Sequence, residues 1–549
     1  MKKLPVSRLG AMLVLLVATP FVAHAQTPTV IMPVQADISP PLTDLAMRAL
    51  LLAPLWKAPT PAQPHRQVAP DVDGVDTGAV LSTPRSHAQT SDVARPKVAA
   101  TIGVNFDGIG VGLGLYSPSS APPDTVGAPG LTQYVQVVNT DMAVFTKTGA
   151  LVAGPFPTSA LWAGFGGVCE TTNQGDAIVL YDRLANRWLI SQFAFNVSAT
   201  GDPAAPFVQC IAVSTSSDAT GSYARYGYSF GTELNDYPKI GVWPDGYYFS
   251  FNMFQPPTFS NTGIKPCAVD RAKMLIADPT ATMLCFATGT YAGGNFGMLP
   301  TDLDGLMPPP LGTPNFFIRQ RTTVPRSLGM NKFHVDFVTP ANSTFTSVPN
   351  IPVGSLERAC GGGACIPQPG TTEVLDSLGD RLMHRLAYRN FGTREALVVT
   401  QSVTPPAPST AASGVRWFEI RDPNGAAPVA FQNATYAPDN TSRWMASAAM
   451  DKLGNMLIGY SVSSSAVFPG IRYTGRLRGE PRNLMQAEAV IVNGGGSQIN
   501  TFERWGDYSS MNVDPVDDCT FWYTTEYIKA TGSFNWSTRI ASIKFPNCH

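Results

Sequence analysis

Six aspartates stand at or just before short apolar runs and mark where chemistry would concentrate: Asp124, Asp176, Asp236, Asp302, Asp380 and Asp507. Typical runs are Asp176-Ala-Ile-Val-Leu-Tyr, Asp236-Tyr-Pro-Lys-Ile-Gly-Val-Trp and Asp380-Arg-Leu-Met-His-Arg-Leu-Ala-Tyr. If these runs are equivalent strands around one axis, their carboxylates converge at one mouth of a central channel. Converging carboxylates repel unless protonated or neutralised. The six therefore form a candidate oxygen-ligated metal site, with Ca2+ the expected ion. Alternatively, each aspartate caps its own turn by accepting backbone N–H bonds. Candidates for proton transfer are Asp176, Asp236, Asp380, His384 and Asp507. After residue 100 the only other histidines are His334 and His549, so a three-histidine metal centre lacks ligands. Glycosidic hydrolysis needs two carboxyl groups about 5 to 10 Å apart, and Glu503 and Glu526 add to the supply. Trp243, Trp444, Trp505 and Tyr508 offer flat faces for sugar rings, and Arg443 and Arg504 offer clamps for an acidic group. The same Arg-Trp pairs serve equally as staples between neighbouring sheets.

Strand–turn–strand units must position these side chains. The clearest runs from Arg504 to Tyr527: an Asp-led strand, the turn Asp514-Pro-Val-Asp-Asp518, then the aromatic strand Cys519-Thr-Phe-Trp-Tyr. Similar turns follow at Asp182-Arg-Leu-Ala-Asn-Arg, Pro244-Asp-Gly and Asp451-Lys-Leu-Gly-Asn. Openings at 124, 176, 236, 302, 380, 443 and 507 predict an all-β, seven-bladed β-propeller with long loops. A pair of β-sandwiches is the structural alternative. Trp536–Phe545 and Val98–Phe106 are the candidate seam at which first and last strands close the ring.

Residues 1–25 read as a signal peptide: Lys2, Lys3 and Arg8, then an apolar run, then Ala23-His24-Ala25. Residues 26–100 are rich in Pro and Ala and read as a mostly disordered linker or pro-segment, with 101–549 the propeller domain. Within that segment, Ser39-Pro-Pro-Leu to Ala53 predicts a helix with Ser39 as N-cap. Charged residues are only 14% of the chain, against roughly 25% in typical globular proteins, and the net charge is −1. That balance excludes nucleic acid as a partner. Beyond the N-terminal segment the chain holds no second apolar run long enough to span a bilayer, so a soluble mature protein is expected. Eight cysteines in an exported chain predict disulfides, paired by sequence order as Cys169–Cys210, Cys267–Cys285, Cys360–Cys365 and Cys519–Cys548. The expected setting is the periplasm or the extracellular space, as a monomer.

Several strings resemble a family of exported bacterial β-propeller-like proteins, mostly uncharacterised. They are Pro122-Pro-Asp-Thr-Val-Gly127, Tyr181 to Trp188, Tyr237-Pro-Lys-Ile-Gly-Val-Trp-Pro-Asp-Gly-Tyr-Tyr248, Arg381 to Gly392, Arg443 to Ser461, and 504–527. The resemblance spans about 120 to 549 and implies fold and compartment, with no activity attached to a residue. Related chains often carry His-Glu and a second His in the segment matching Thr393–Gln401; only Glu395 stands here. The leading expectation is a propeller that binds an extracellular glycan at one channel mouth. A polysaccharide hydrolase or lyase using the same carboxylates is the first alternative, and a non-catalytic adhesion or scaffold module the second.

Overall fold

The computed structural model describes residues 27–52, 88–89, 96–118, 120–289, 297–321, 327–500 and 503–549. The expected signal peptide and most of 53–95 lie outside them. The described residues form an all-β fold, with a few short helices between strands. Among the described residues the longest helix is Leu42–Leu52, and no helix is long and apolar enough to cross a membrane.

Antiparallel sheets of four or five strands succeed one another along the chain, each headed by a leading strand. The leading strands are Val126–Pro129, Ile178–Asp182, Leu234–Val242, Leu299–Asp304, Leu382–Asn390, Ser442–Met450 and Ser510–Val513. Each packs against the next, and Ser510–Val513 returns to Val126–Pro129, so they form a closed ring. The two sheets headed by Leu299–Asp304 and Leu382–Asn390 are joined by parallel pairing from Thr301↔Leu386 to Asp304↔Arg389. Neighbouring leading strands approach closely: a Cβ on Gly241 would lie 2.1 Å from the Thr301 carbonyl oxygen. The seam forms where expected. Trp536–Lys544 pairs antiparallel with Thr101–Asp107, so a strand from before the first sheet completes the last.

Burial falls from the ring outward. Ser442–Met450 is buried at every position, because sheets press on both its faces. The outer strand Leu151–Pro157 has an exposed start and one fully buried residue. A strand buried on both faces loses hydrophobic alternation, so polar side chains inside the ring need partners there. Aromatic side chains fill the space between sheets: Trp243 lies 4.7 Å from Tyr388, and Trp444 lies 5.3 Å from Trp505, centroid to centroid. The Asp-led turns form as their sequences predict. Asp182 Oδ1 accepts the Leu184 and Ala185 N–H, and Asp451 Oδ1 accepts those of Leu453 and Asn455. The disulfides are Cys169–Cys210, Cys267–Cys285, Cys360–Cys365 and Cys519–Cys548.

Two expectations need correction. Residues 27–47 are not a disordered linker. Thr29–Ile31 pairs with Met283–Cys285 and Gln35–Ile38 with Gly227–Ala224, each extending a sheet at its outer edge. Asp37 holds the Arg225 guanidinium at 2.6 Å, and Leu42 and Leu45 are buried. The helix begins at Leu42, because the Ser39 hydroxyl is engaged elsewhere, accepting the Tyr223 N–H at 2.9 Å. The segment is ordered because the sheet edges supply the pairing partners its own sequence lacks. Second, Asp302 does not open its strand. Leu299 does, and Asp302 lies inside it, opposite Ala387.

Candidate functional site

The hub lies where the leading strands begin, and its backbone is bulged. Ladder register slips between Asp236 and Lys239, between Met383 and Ala387, and between Trp444 and Ser447. Around these bulges, non-glycine residues take positive φ: Asp124 at 42°, Asp176 at 46°, Tyr237 at 51° and Met445 at 47°. For an aspartate the left-handed region is tolerable; for Tyr and Met it is costly and holds only where packing enforces it. Bulges re-aim side chains. Here they turn successive strands' polar groups toward one another.

Asp124 is the clamp of this cluster. Its Oδ1 accepts the Asp507 N–H at 2.6 Å, and its Oδ2 accepts Asn139 Nδ2 at 2.7 Å. Asn139 Oδ1 in turn accepts the Asp176 N–H at 2.8 Å. Three sheets are thus tied through one carboxylate and one amide. Arg504 holds Asp507 at 2.5 Å, and Arg381 holds Asp380 through two bonds of 2.8 and 2.9 Å. The Lys239 ammonium sits over two aromatic faces, 3.3 Å from the Tyr237 centroid and 4.0 Å from that of Tyr508. The His384 ring lies 6.0 Å from Tyr508. Glu526 Oε2 accepts the Gly506 N–H at 2.8 Å.

Burial dominates the electrostatics. It pushes Asp176 up to about 8, aided by the nearby charges of Asp236 and Asp507 and opposed by Lys239 and Arg504. It drives Asp124 well above the usual carboxylate range, with Asp507 and Asp176 adding to the rise. Glu526 is likewise raised to about 8 by burial. Burial lowers Lys239 to about 7 against the pull of Asp176, Asp507 and Asp124. His384 is held neutral by burial and by the cations Lys239 and Arg385. Its Nε2, the Tyr508 hydroxyl and Glu526 Oε1 are buried with no hydrogen-bond partner among the described residues. Raised carboxyls, a lowered amine and unused polar atoms are thus packed together where the leading strands begin, which makes the hub the candidate site.

Of the aspartates expected at one mouth, Asp124, Asp176, Asp236, Asp380 and Asp507 meet here. Asp302 does not: Arg385 holds it at 2.7 Å deeper in the ring. Trp505 and Tyr508 line the hub from within and are buried, and Trp444 packs behind Trp505. Trp243 is also buried and lies at the far end of its strand, donating to the Thr313 carbonyl. Arg443 points outward between sheets, paired with Asp439 and Glu488 at 2.9 and 2.8 Å. The staple role considered for Arg-Trp pairs therefore describes Arg443, while Arg504 belongs to the hub. Sequence reasoning passed over Lys239, Tyr237, Arg381 and Asn139. The string Asp236-Tyr-Pro-Lys239 held a signal, a lysine three residues from a candidate carboxylate. Among the described residues, no three His, Cys, Asp or Glu side chains are grouped so as to hold a metal ion.

No protein-family model matches the chain, and no curated protein matches it. Solved structures show distant likeness. A protein of unknown function from Dyadobacter fermentans has 9% identity and a TM-score of 0.37, covering 66% of this chain and 92% of its own. The phage phi92 endosialidase has 7% identity and a TM-score of 0.32, covering 82% and 70%. The endo-1,5-alpha-L-arabinanase of Thermotoga petrophila has 9% identity and a TM-score of 0.27, covering 78% and 99%. Likeness at this level assigns neither activity nor substrate.

Proposed function

We propose that the chain is an exported seven-bladed β-propeller that binds an extracellular glycan at the mouth where its leading strands begin. The observation carrying this reading is the meeting of Asp124, Asp176, Asp380 and Asp507 with Lys239, Arg381 and Arg504 at that end of the ring. The cyclic packing of the leading strands and the two-ended seam support the propeller. Four disulfides suit an oxidising compartment. Asp380, Arg381 and Asp507 remain part-exposed at the mouth, at 12%, 14% and 14% of their side-chain surface. Such closely spaced donors and acceptors fit a ligand dense in hydroxyls. The chain's own cations face the aspartates; calcium is an added component of the proposal, tested with chelator.

One observation favours a second reading, a polysaccharide hydrolase or lyase. Asp176 and Glu526 keep their protons up to about 8, while Lys239 gives up its own near 7. A protonated carboxyl can protonate a leaving oxygen, and a neutral amine can take a proton from a sugar carbon. The deciding experiment is a glycan array read beside reducing-sugar release and unsaturated-product absorbance, each with and without chelator. Wild type is compared with Asp507→Asn and Lys239→Met, after circular dichroism shows both variants folded. Loss of binding in folded variants supports the hub as the site. Retained binding in both would remove the hub from the function, and bond cleavage by wild type alone would establish the enzyme.

A further inference from the structure

A second site lies on the opposite side of the ring. Leu382–Asn390 and Ser442–Met450 start at the hub; the turns that follow them, with the far ends of two later strands, enclose a cavity of about 360 Å³. Five arginines line it, Arg394, Arg421, Arg476, Arg478 and Arg482, against two carboxylates, Glu419 and Glu480. The two carboxylates offset only part of this charge, leaving three more arginines than carboxylates in the lining. Glu419 pairs with Arg421 at 2.7 Å and also accepts from Gln432. Glu480 accepts the Leu477 N–H at 2.9 Å and Gln486 Nε2 at 2.7 Å. Arg476 donates to the backbone oxygens of Leu484, Glu480 and Pro481. Arg394 lies 4.0 Å over Phe391, with its Nε and Nη2 buried and lacking any hydrogen-bond partner among the described residues. Arg421 and Arg482 cover Phe431, at 3.1 and 3.7 Å from its centroid.

We infer that this cavity is a binding site for an oxyanion of the sulfate-ester or phosphate-ester class, carried on a unit the size of a single sugar. Guanidinium forks match the tetrahedral oxygens of such groups. Like charges crowded in one cavity are relieved by a ligand that supplies the missing negative charge. Arg394 brings two unused, buried donors, and aromatic stacking preorganises Arg421 and Arg482. The volume falls within the usual range for small-ligand sites, roughly 300–1,000 Å³. The inference does not rest on the hub, which lies at the other end of the leading strands.

The test is isothermal titration and thermal shift of the full chain at low ionic strength. The probes are inorganic sulfate, inorganic phosphate, glucose 6-sulfate, glucose 6-phosphate and neutral glucose, with sodium chloride at matched ionic strength as control. The sulfate or phosphate esters should bind and raise the melting temperature, with neutral glucose and chloride inert; their relative affinities tell the two ester classes apart. The double variant Arg478→Glu/Arg482→Glu changes exposed residues only and should weaken ester binding at least tenfold. Arg394→Gln should weaken it as well, while Asp507→Asn should leave it unchanged. A chloride response equal to the ester response, or ester affinity unaltered in the double variant, would overturn the inference.

Discussion

A single side chain at the hub sets a measurable pH dependence. Asp176 is raised to about 8 by burial and neighbouring carboxylates, from 3.8. The folded chain therefore binds this proton more tightly than the unfolded chain. Its contribution to stability is fully present below about pH 4 and is lost as pH rises through about 8. Glu526 acts in the same sense over the same window. Lys239 acts oppositely: lowered to about 7 from 10.5, it weighs against folding below 7, and that burden lifts as pH climbs from 7 toward 10.5. Asp176→Asn keeps the shape of the protonated carboxyl and cannot ionise. It should melt with wild type at about pH 4 and above it by about 2–4 °C at pH 8.5. A difference that stays constant across that range would show that Asp176 does not carry the proton assigned to it.

Elements differ in how much of their placement is written locally. The hairpins at Asp182, Asp451 and Asp514 were legible because an aspartate accepting N–H bonds two or three residues onward is a property of four or five neighbouring residues. The seam was legible for a similar reason, since Trp536–Lys544 and Thr101–Asp107 each read as strands on their own. Asp302 was misplaced because its strand, buried on both faces, shows no alternation to fix where it starts. Thr29–Ile31 is β-branched, but it and Gln35–Ile38 are too short and too closely flanked by proline to announce strands; the free edges of distant sheets order them. Whether Trp243 or Arg443 faces solvent likewise depends on which sheet packs over it, which no short window of sequence encodes. At this scale the Cys519–Cys548 bond ties the turn between Ser510–Val513 and Thr520–Ile528 to the residues after the last strand, Trp536–Lys544. Replacing both cysteines by serine should lower stability by about 2–4 kcal/mol, read as a reduced denaturation midpoint. An unchanged midpoint would mean the seam holds the last sheet unaided.

The whole molecule is held together through its centre as well as around its rim. Arg385 reaches Asp302 at 2.7 Å, Asp304 at 2.5 Å and the Met511 carbonyl at 3.0 Å, so one guanidinium crosses the interior between non-adjacent leading strands. Arg183 approaches Asp304 at 3.5 Å and donates to the Val513 carbonyl, and Arg389 holds Asp518 at 2.7 Å. Removing one member leaves buried charges without a counterpart. Arg385→Ala should therefore cost roughly 3–5 kcal/mol, measured by chemical denaturation. A loss below about 1 kcal/mol would show that water replaces the arginine. The seam carries a further implication about time. Val104 and Ser542 bond across 438 positions. A ribosome delivers the first long before the second, so the circle stays incomplete until synthesis of its last sheet ends. Until then Thr101–Asp107 has no strand to pair with, and the ring cannot close.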